Sequence, residues 1–184
     1  TTFNDLRRAL RGSPDVRNTV LELPEAELMA KLGASVAAAE GMFFPDTYYF
    51  SSGTSDLVIF KRAYQTMQEN LQESWQQRAP NLPLKSPYQA LILASIVEKE
   101  TGQASDRGMI AAVFTNRLRK GMRLQSDPTV IYGMGDKFNG NLRSRDLTTD
   151  TPYNTYTRVG LPPTPIALPG LAAIQAALHP EPID

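Results

Sequence analysis

From Tyr88 to Val97 nearly every position is apolar or small, and no broad polar face interrupts the run. Ser86 stands before it as a plausible N-cap, and Pro87 suits a first helical position. A helix that is apolar all round is a core helix. The pattern therefore predicts a buried helix from Pro87 that ends in Glu98, Lys99 and Glu100 and stops at Thr101–Gly102. That ending is unusual, because helix C-termini carry partial negative charge and prefer cations. At about 100° per residue the two glutamates lie about 160° apart, so they face different surroundings. Glu98 falls near Leu91 and Ala94, and Glu100 falls on the stripe of Leu93, Ile96 and Val97. A carboxyl group beside apolar side chains and a helix C-terminus holds its proton more tightly than one in water, which suits a general acid. The plainer reading is a solvated helix end with both glutamates in water.

The other patterns are more ordinary. Thr2–Arg11 reads as a short helix capped by Thr2, with Phe3, Leu6 and Leu10 on its apolar side. Pro24–Leu32 reads as a second helix, followed by Gly33. Glu40–Ser52 holds five aromatics and reads as a core strand or as a wall on which sugars stack, with Pro45-Asp46 as a turn and Tyr48–Phe50 extended. Glu40 stands beside a glycine and this aromatic cluster. Thr54–Arg78 predicts a long amphipathic helix capped by Thr54, with Leu57, Phe60, Ala63, Tyr64, Met67, Leu71 and Trp75 buried. Ser105–Lys120 predicts another, capped by Ser105, with Met109, Ile110, Val113, Phe114 and Leu118 as its stripe. Arg117, Arg119 and Lys120 suit its C-terminus, and a phosphate-binding role for them is the alternative.

Beyond Gly121, Met122–Leu124 suggests a short strand. Gln125, Ser126, Asp127 and Thr129 crowd around Pro128, either as a capped turn or as the polar lining of a groove. Gly133–Leu147 reads as loops or a small hairpin anchored by Leu142 and Leu147. Tyr153–Thr157 and the proline-rich 160–166 stretch predict a rigid extended segment that lines a cleft or serves as an interaction surface. Pro169–Leu178 is a last short helix. The fold class expected from these elements is α+β: six or so helices and a few short strands in one domain, 1–184. Residues 1–33 form its helical lead-in and 86–170 its core.

Composition narrows the chemistry. The 184 residues are 41% hydrophobic and 21% charged, with 19 basic and 19 acidic residues. That balance gives no pointer to nucleic acid. With no Cys and one His, thiolate chemistry is excluded and a transition-metal site is not expected; no cofactor is implied. No apolar run reaches membrane-spanning length. The opening TTFNDLRR reads like the middle of a longer protein.

Four stretches carry a resemblance. They are E-G-M-F-F-P-D-T-Y at 40–48, A-S-I-V-E-K-E-T at 94–101, F-T-N-R-L-R-K-G-M-R-L-Q-S-D-P-T-V-I-Y-G at 114–133, and Y-N-T-Y-T-R-V-G-L-P-P-T-P-I-A-L-P-G at 153–170. In this order they resemble the YceG-like family of endolytic murein transglycosylases. The resemblance implies a lysozyme-like active-site layout and a bacterial inner-membrane enzyme facing the periplasm. Its anchor, its LysM-like part and the last strands after Asp184 would be missing from this chain. It implies cleavage of nascent peptidoglycan strands at the MurNAc–GlcNAc bond with 1,6-anhydro-MurNAc formation, which limits strand length. Peptidoglycan synthases are implied as partners. The family's catalytic glutamate matches Glu100. Gln125 resembles the Met-x-Gln element, and Tyr153-Asn154 the Tyr-Asn element, of lysozyme-like transglycosylases. Gln125, Ser126, Asp127, Asn154 and Tyr156 are expected to hydrogen-bond sugar groups or the Glu100 carboxyl, and Glu40 to help hold the cleft floor. The rival expectations are a non-catalytic peptidoglycan-binding or scaffold module of the elongation machinery, and a proline-rich interaction domain.

Overall fold

The computed structural model describes residues 1–183. Asp184, where the expected domain ends, lies outside the described residues. About half of the chain is helical, in the order α1 (Phe3–Arg11), β1 (Val16–Arg17), α2 (Glu25–Lys31), β2 (Thr54–Ser55), α3 (Asp56–Gln76), α4 (Pro87–Glu100), α5 (Arg107–Arg119), α6 (Asp127–Met134), α7 (Ser144–Thr148) and α8 (Leu171–Leu178). Single 3-10 turns occupy Ala104–Asp106 and Gly135–Lys137. The α+β expectation holds at that level, with a sheet reduced to one parallel pairing of β1 with β2, Val16 opposite Thr54.

Helix α4 is the centre. Ser86 caps it by accepting the Gln89 N–H, and Ala90 to Val97 are all buried. Helices α3, α5, α6 and α8 pack around it, which is why it has no polar face. Phe3, Phe43 and Phe60 form an aromatic cluster with ring centroids 5.2 to 6.1 Å apart. Through Phe3 and Phe60 that cluster ties α1 to α3.

Several local expectations are corrected. The long helix starts at Asp56 with Ser55 as its cap, because Thr54 and Ser55 pair with β1 instead. Asp56 is buried and its carboxylate gathers the N–H groups of Thr19, Val20, Leu21 and Leu57 and the Thr19 hydroxyl, at 2.6 to 3.2 Å. Ser105 does not cap α5; the chain makes a 3-10 turn first and the helix begins at Arg107. The buried face of α5 is Ala111, Ala112, Phe114 and Thr115, while Met109 is 45% exposed. Its small alanines permit close packing against α8 and α4.

Met122–Leu124, Tyr48–Phe50 and 133–147 form no strand or hairpin. No neighbouring strand offers them a ladder, and part of the last stretch coils into α7. Of the five aromatics at 43–50, Phe43 is buried, Phe44 and Tyr48 pack against the core, and Tyr49 and Phe50 are exposed. Two of the three basic residues ending α5 are spent on structure. The Arg117 guanidinium donates to the Leu124 carbonyl, and Arg119 donates to Asn116 and to the Asn81 carbonyl.

Candidate active site

The two glutamates at the end of α4 go to different elements. Glu98 accepts the Gly170 N–H at 2.9 Å. Gly170 is the N-cap of α8, so this carboxylate supplies the negative charge that a helix N-terminus favours. Glu100 turns the other way, half-buried, and the Ser126 hydroxyl donates to its Oε1 at 2.9 Å.

Ser126 is itself held from three sides. Its N–H donates to the Thr155 hydroxyl at 2.9 Å, and its carbonyl accepts from the Thr129 hydroxyl at 2.7 Å. The two threonine hydroxyls lie 2.8 Å apart. All three residues are buried, so the network is satisfied internally and its geometry is rigid. Ser126 occupies the N-cap position of α6, yet its side chain makes no cap bond to that helix. Its hydroxyl serves Glu100 instead.

Gln125 precedes it with φ +54°, a left-handed backbone in a residue that is neither Gly nor Asn. Such a conformation costs roughly 1–2 kcal/mol and marks sites where the surroundings impose it. Here the Gln125 N–H donates to the Thr155 carbonyl at 3.2 Å while the residue stays exposed. On the other flank the Tyr156 hydroxyl donates to Asp127 Oδ1 at 2.5 Å. Burial, then the hydrogen bond to Asp127 and the charges of Asp127 and Glu100, push the Tyr156 phenol up to about 12. That influence puts Tyr156 within electrostatic reach of Glu100. Glu100, Gln125, Ser126, Asp127 and Tyr156 thus form one constellation.

Asn154 and Glu40 stand apart from it. The Asn154 amide donates to the carbonyls of Asp146, Leu147 and Thr149, and its oxygen accepts the Tyr156 N–H at 2.8 Å. Every polar atom of this buried side chain is engaged in fixing α7 and the turn that presents Tyr156. Glu40 is 4% exposed and accepts the Phe3 N–H at 2.7 Å. Burial raises its pKa, against the Phe3 N–H and the neighbouring Tyr132 phenol. It braces α1 through the Phe3 N–H and neighbours α6 through the Tyr132 phenol. Thr155 is the member of the network that sequence reasoning missed. Its only signal is a hydroxyl residue placed between Asn154 and Tyr156.

A model of the YceG-like family matches residues 2–184. An endolytic murein transglycosylase of Bacillus subtilis is 39% identical over 145 residues, covering 79% of this chain and 40% of the relative. One from Streptococcus pneumoniae strain D39 is 35% identical over 146 residues, covering 76% and 26%. The chain therefore spans less than half the length of these curated relatives. The crystal structure of a yceG-like protein of Listeria monocytogenes superposes with a TM-score of 0.80 at 30% identity, over 100% of this chain and 65% of that one.

Proposed function

The chain belongs to the YceG-like family, and we propose that it is the catalytic part of an endolytic murein transglycosylase in which Glu100 is the acid and base. The observation that carries this reading is the Ser126–Glu100 hydrogen bond. It holds a carboxyl group at the open end of a buried helix, on a rigid hydroxyl network and beside exposed polar groups. The names of the relatives support it.

In this mechanism Glu100 first protonates the glycosidic oxygen between MurNAc and GlcNAc, and the bond from C1 to that oxygen breaks. The resulting carboxylate takes the proton of the C6 hydroxyl on the same MurNAc. O6 then bonds to C1 and closes the 1,6-anhydro ring. The proton returns to Glu100, so one group serves both steps and no water is consumed. Ordinary glycosidases need a second carboxylate to activate water or form a covalent intermediate. The internal hydroxyl replaces it at high effective molarity. Ser126 orients the carboxyl. Gln125, Asp127 and Tyr156 contact sugar hydroxyls and N-acetyl groups in a lysozyme-like layout formed within residues 86–170. Asn154 and Glu40 hold the walls.

The proposed setting is the periplasmic face of the bacterial inner membrane, with cleavage limiting strand length beside peptidoglycan synthases. No helix among the described residues is long and apolar enough to cross a membrane, so the anchor in this reading lies outside them. Incubation with uncrosslinked glycan strands should yield 1,6-anhydro-MurNAc ends, read by mass spectrometry. Reducing MurNAc ends carrying oxygen from labelled water would identify a hydrolase and overturn the transglycosylase reading.

A further inference from the structure

A cleft of about 590 Å³ lies at the opposite end of α4 from Glu100, between the start of α4, the end of α5 at Leu118 and the 160–163 loop. Resting on the glycan-cleaving function above, we propose that this cleft is a remote subsite for the same glycan strand. It seats sugar rings several positions away from the bond being cut.

Three observations point there. The first is alignment. Gln89 lines the cleft and Glu100 ends the helix. Eleven positions at about 100° each bring them within about 20° of one another around α4, and about 16 Å apart along it. Between them Leu93 and Ile96 are fully buried, so the strand passes over the segments that cover the helix rather than along the helix itself.

The second is continuity of the walls. Leu118 in the cleft adjoins Arg117, which donates to the Leu124 carbonyl next to Gln125. Gly160 in the cleft follows Tyr156 by four residues on the proline-rich segment. That segment is pinned to α4 by the Ile166 N–H on the Ser95 hydroxyl at 2.9 Å. Both covering segments therefore lead from the Glu100 constellation to the cleft.

The third is chemistry. Gln89 Oε1 accepts the Lys85 N–H at 2.9 Å, which fixes the amide and leaves Nε2 as a donor for an acetamido oxygen. The half-buried Tyr88 ring and the exposed Pro163 provide flat apolar surface for a sugar face. The exposed Lys85 ammonium can donate to sugar hydroxyls and to the lactyl carbonyl oxygen of MurNAc.

The test compares cleavage of defined peptide-free GlcNAc–MurNAc oligomers. Short oligomers reach only the Glu100 end, and long ones also reach the cleft. The readout is the ratio of kcat/KM for long over short substrates. Gln89→Glu keeps the acceptor for the Lys85 N–H and removes the donor, so it preserves the fold; Lys85→Ala removes the cation. Each change should lower the ratio about threefold to tenfold, the worth of one net hydrogen bond, with unchanged thermal melting. Val58→Ser, on the exposed face of α3, is the remote control and should not alter the ratio. If the wild type cuts but both variants keep its ratio, or lose long and short cleavage equally, the remote subsite is wrong while the catalytic reading stands. If the wild type releases no anhydro ends from either length, the catalytic reading fails and the subsite fails with it.

Discussion

Glu100→Gln should abolish release of anhydro-MurNAc products while leaving the fold intact. Glutamine keeps the shape, and its Oε1 still accepts the Ser126 hydroxyl that now holds Glu100. It can neither give nor take a proton. General acid–base help is worth about 10² to 10⁴ in rate, and a group used in both steps places the loss at or above the upper end. Melting temperature should stay level or rise slightly, because a carboxylate beside a helix C-terminus has been removed. Glu98→Gln is the matched control. It preserves the oxygen that accepts the Gly170 N–H and should retain most activity. A dead Glu98 variant beside an active Glu100 variant would move the acid two residues along α4. Two variants that both release anhydro products at the wild-type rate would place the acid on a residue other than these two, whereas a wild type that releases none would leave the non-catalytic peptidoglycan-binding module as the reading.

The largest effect on stability is expected at Asp56. Its buried carboxylate collects the N–H groups of Thr19, Val20 and Leu21 from the loop after β1 and that of Leu57 from α3. Asp56→Ala leaves these donors without partners in the interior. At about 1–3 kcal/mol for each unsatisfied group, partly relieved by relaxation, a loss of about 4 kcal/mol follows. Burial by itself would raise this carboxyl, but the Thr19 hydroxyl and the N–H groups of Val20, Thr19 and Leu57 outweigh it and hold it below the ordinary Asp value. A depressed carboxyl contributes its full stability above the unfolded pKa of about 3.9 and loses it as pH falls through the lower folded value. Denaturant melts from pH 6 to pH 2 should therefore show a loss of stability below about pH 4 that is shallower in Asp56→Asn. Equal acid slopes in the two proteins would remove Asp56 from that role.

Asp56 also shows where sequence reading stops. Two residues past the expected Thr54 cap, it is a carboxylate in a helix's first turn, where the dipole favours it. Its partners lie 35 to 37 residues earlier in a loop of no period, and no local pattern announces such a pairing. Helix α4 was legible from Ser86 to Glu100 because cap, proline and unbroken apolar run all agree. The stripe of α5 was legible only in part, at Phe114, Ile110 and Leu118, which pack into or against the core. Its buried positions include two alanines and a threonine, which carry weak hydropathy, while the more apolar Met109 faces solvent. Close helix packing decided the face. At the site, the polar cluster 125–127 could be seen as a cluster. The backbone of Gln125 could not, since left-handed residues are expected to be Gly or Asn. The saturation of Asn154 by carbonyls of α7 was equally hidden, because it depends on a turn that forms only in the folded chain.

Gln125 and Ser126 have a consequence for evolution and engineering. One keeps a backbone that glycine would adopt at less cost. The other withholds from α6 a cap bond of about 1 kcal/mol. Two adjacent residues thus sacrifice local stability, and in both cases the gain lies outside their own segment. Selection for heat resistance alone would press on both positions, favouring Gly at 125 and a residue that caps its own helix at 126. Drift toward those residues in a thermostable descendant would trace the outline of the proposed catalytic centre with no substrate present, because selection for that function would be the only thing holding the original pair in place.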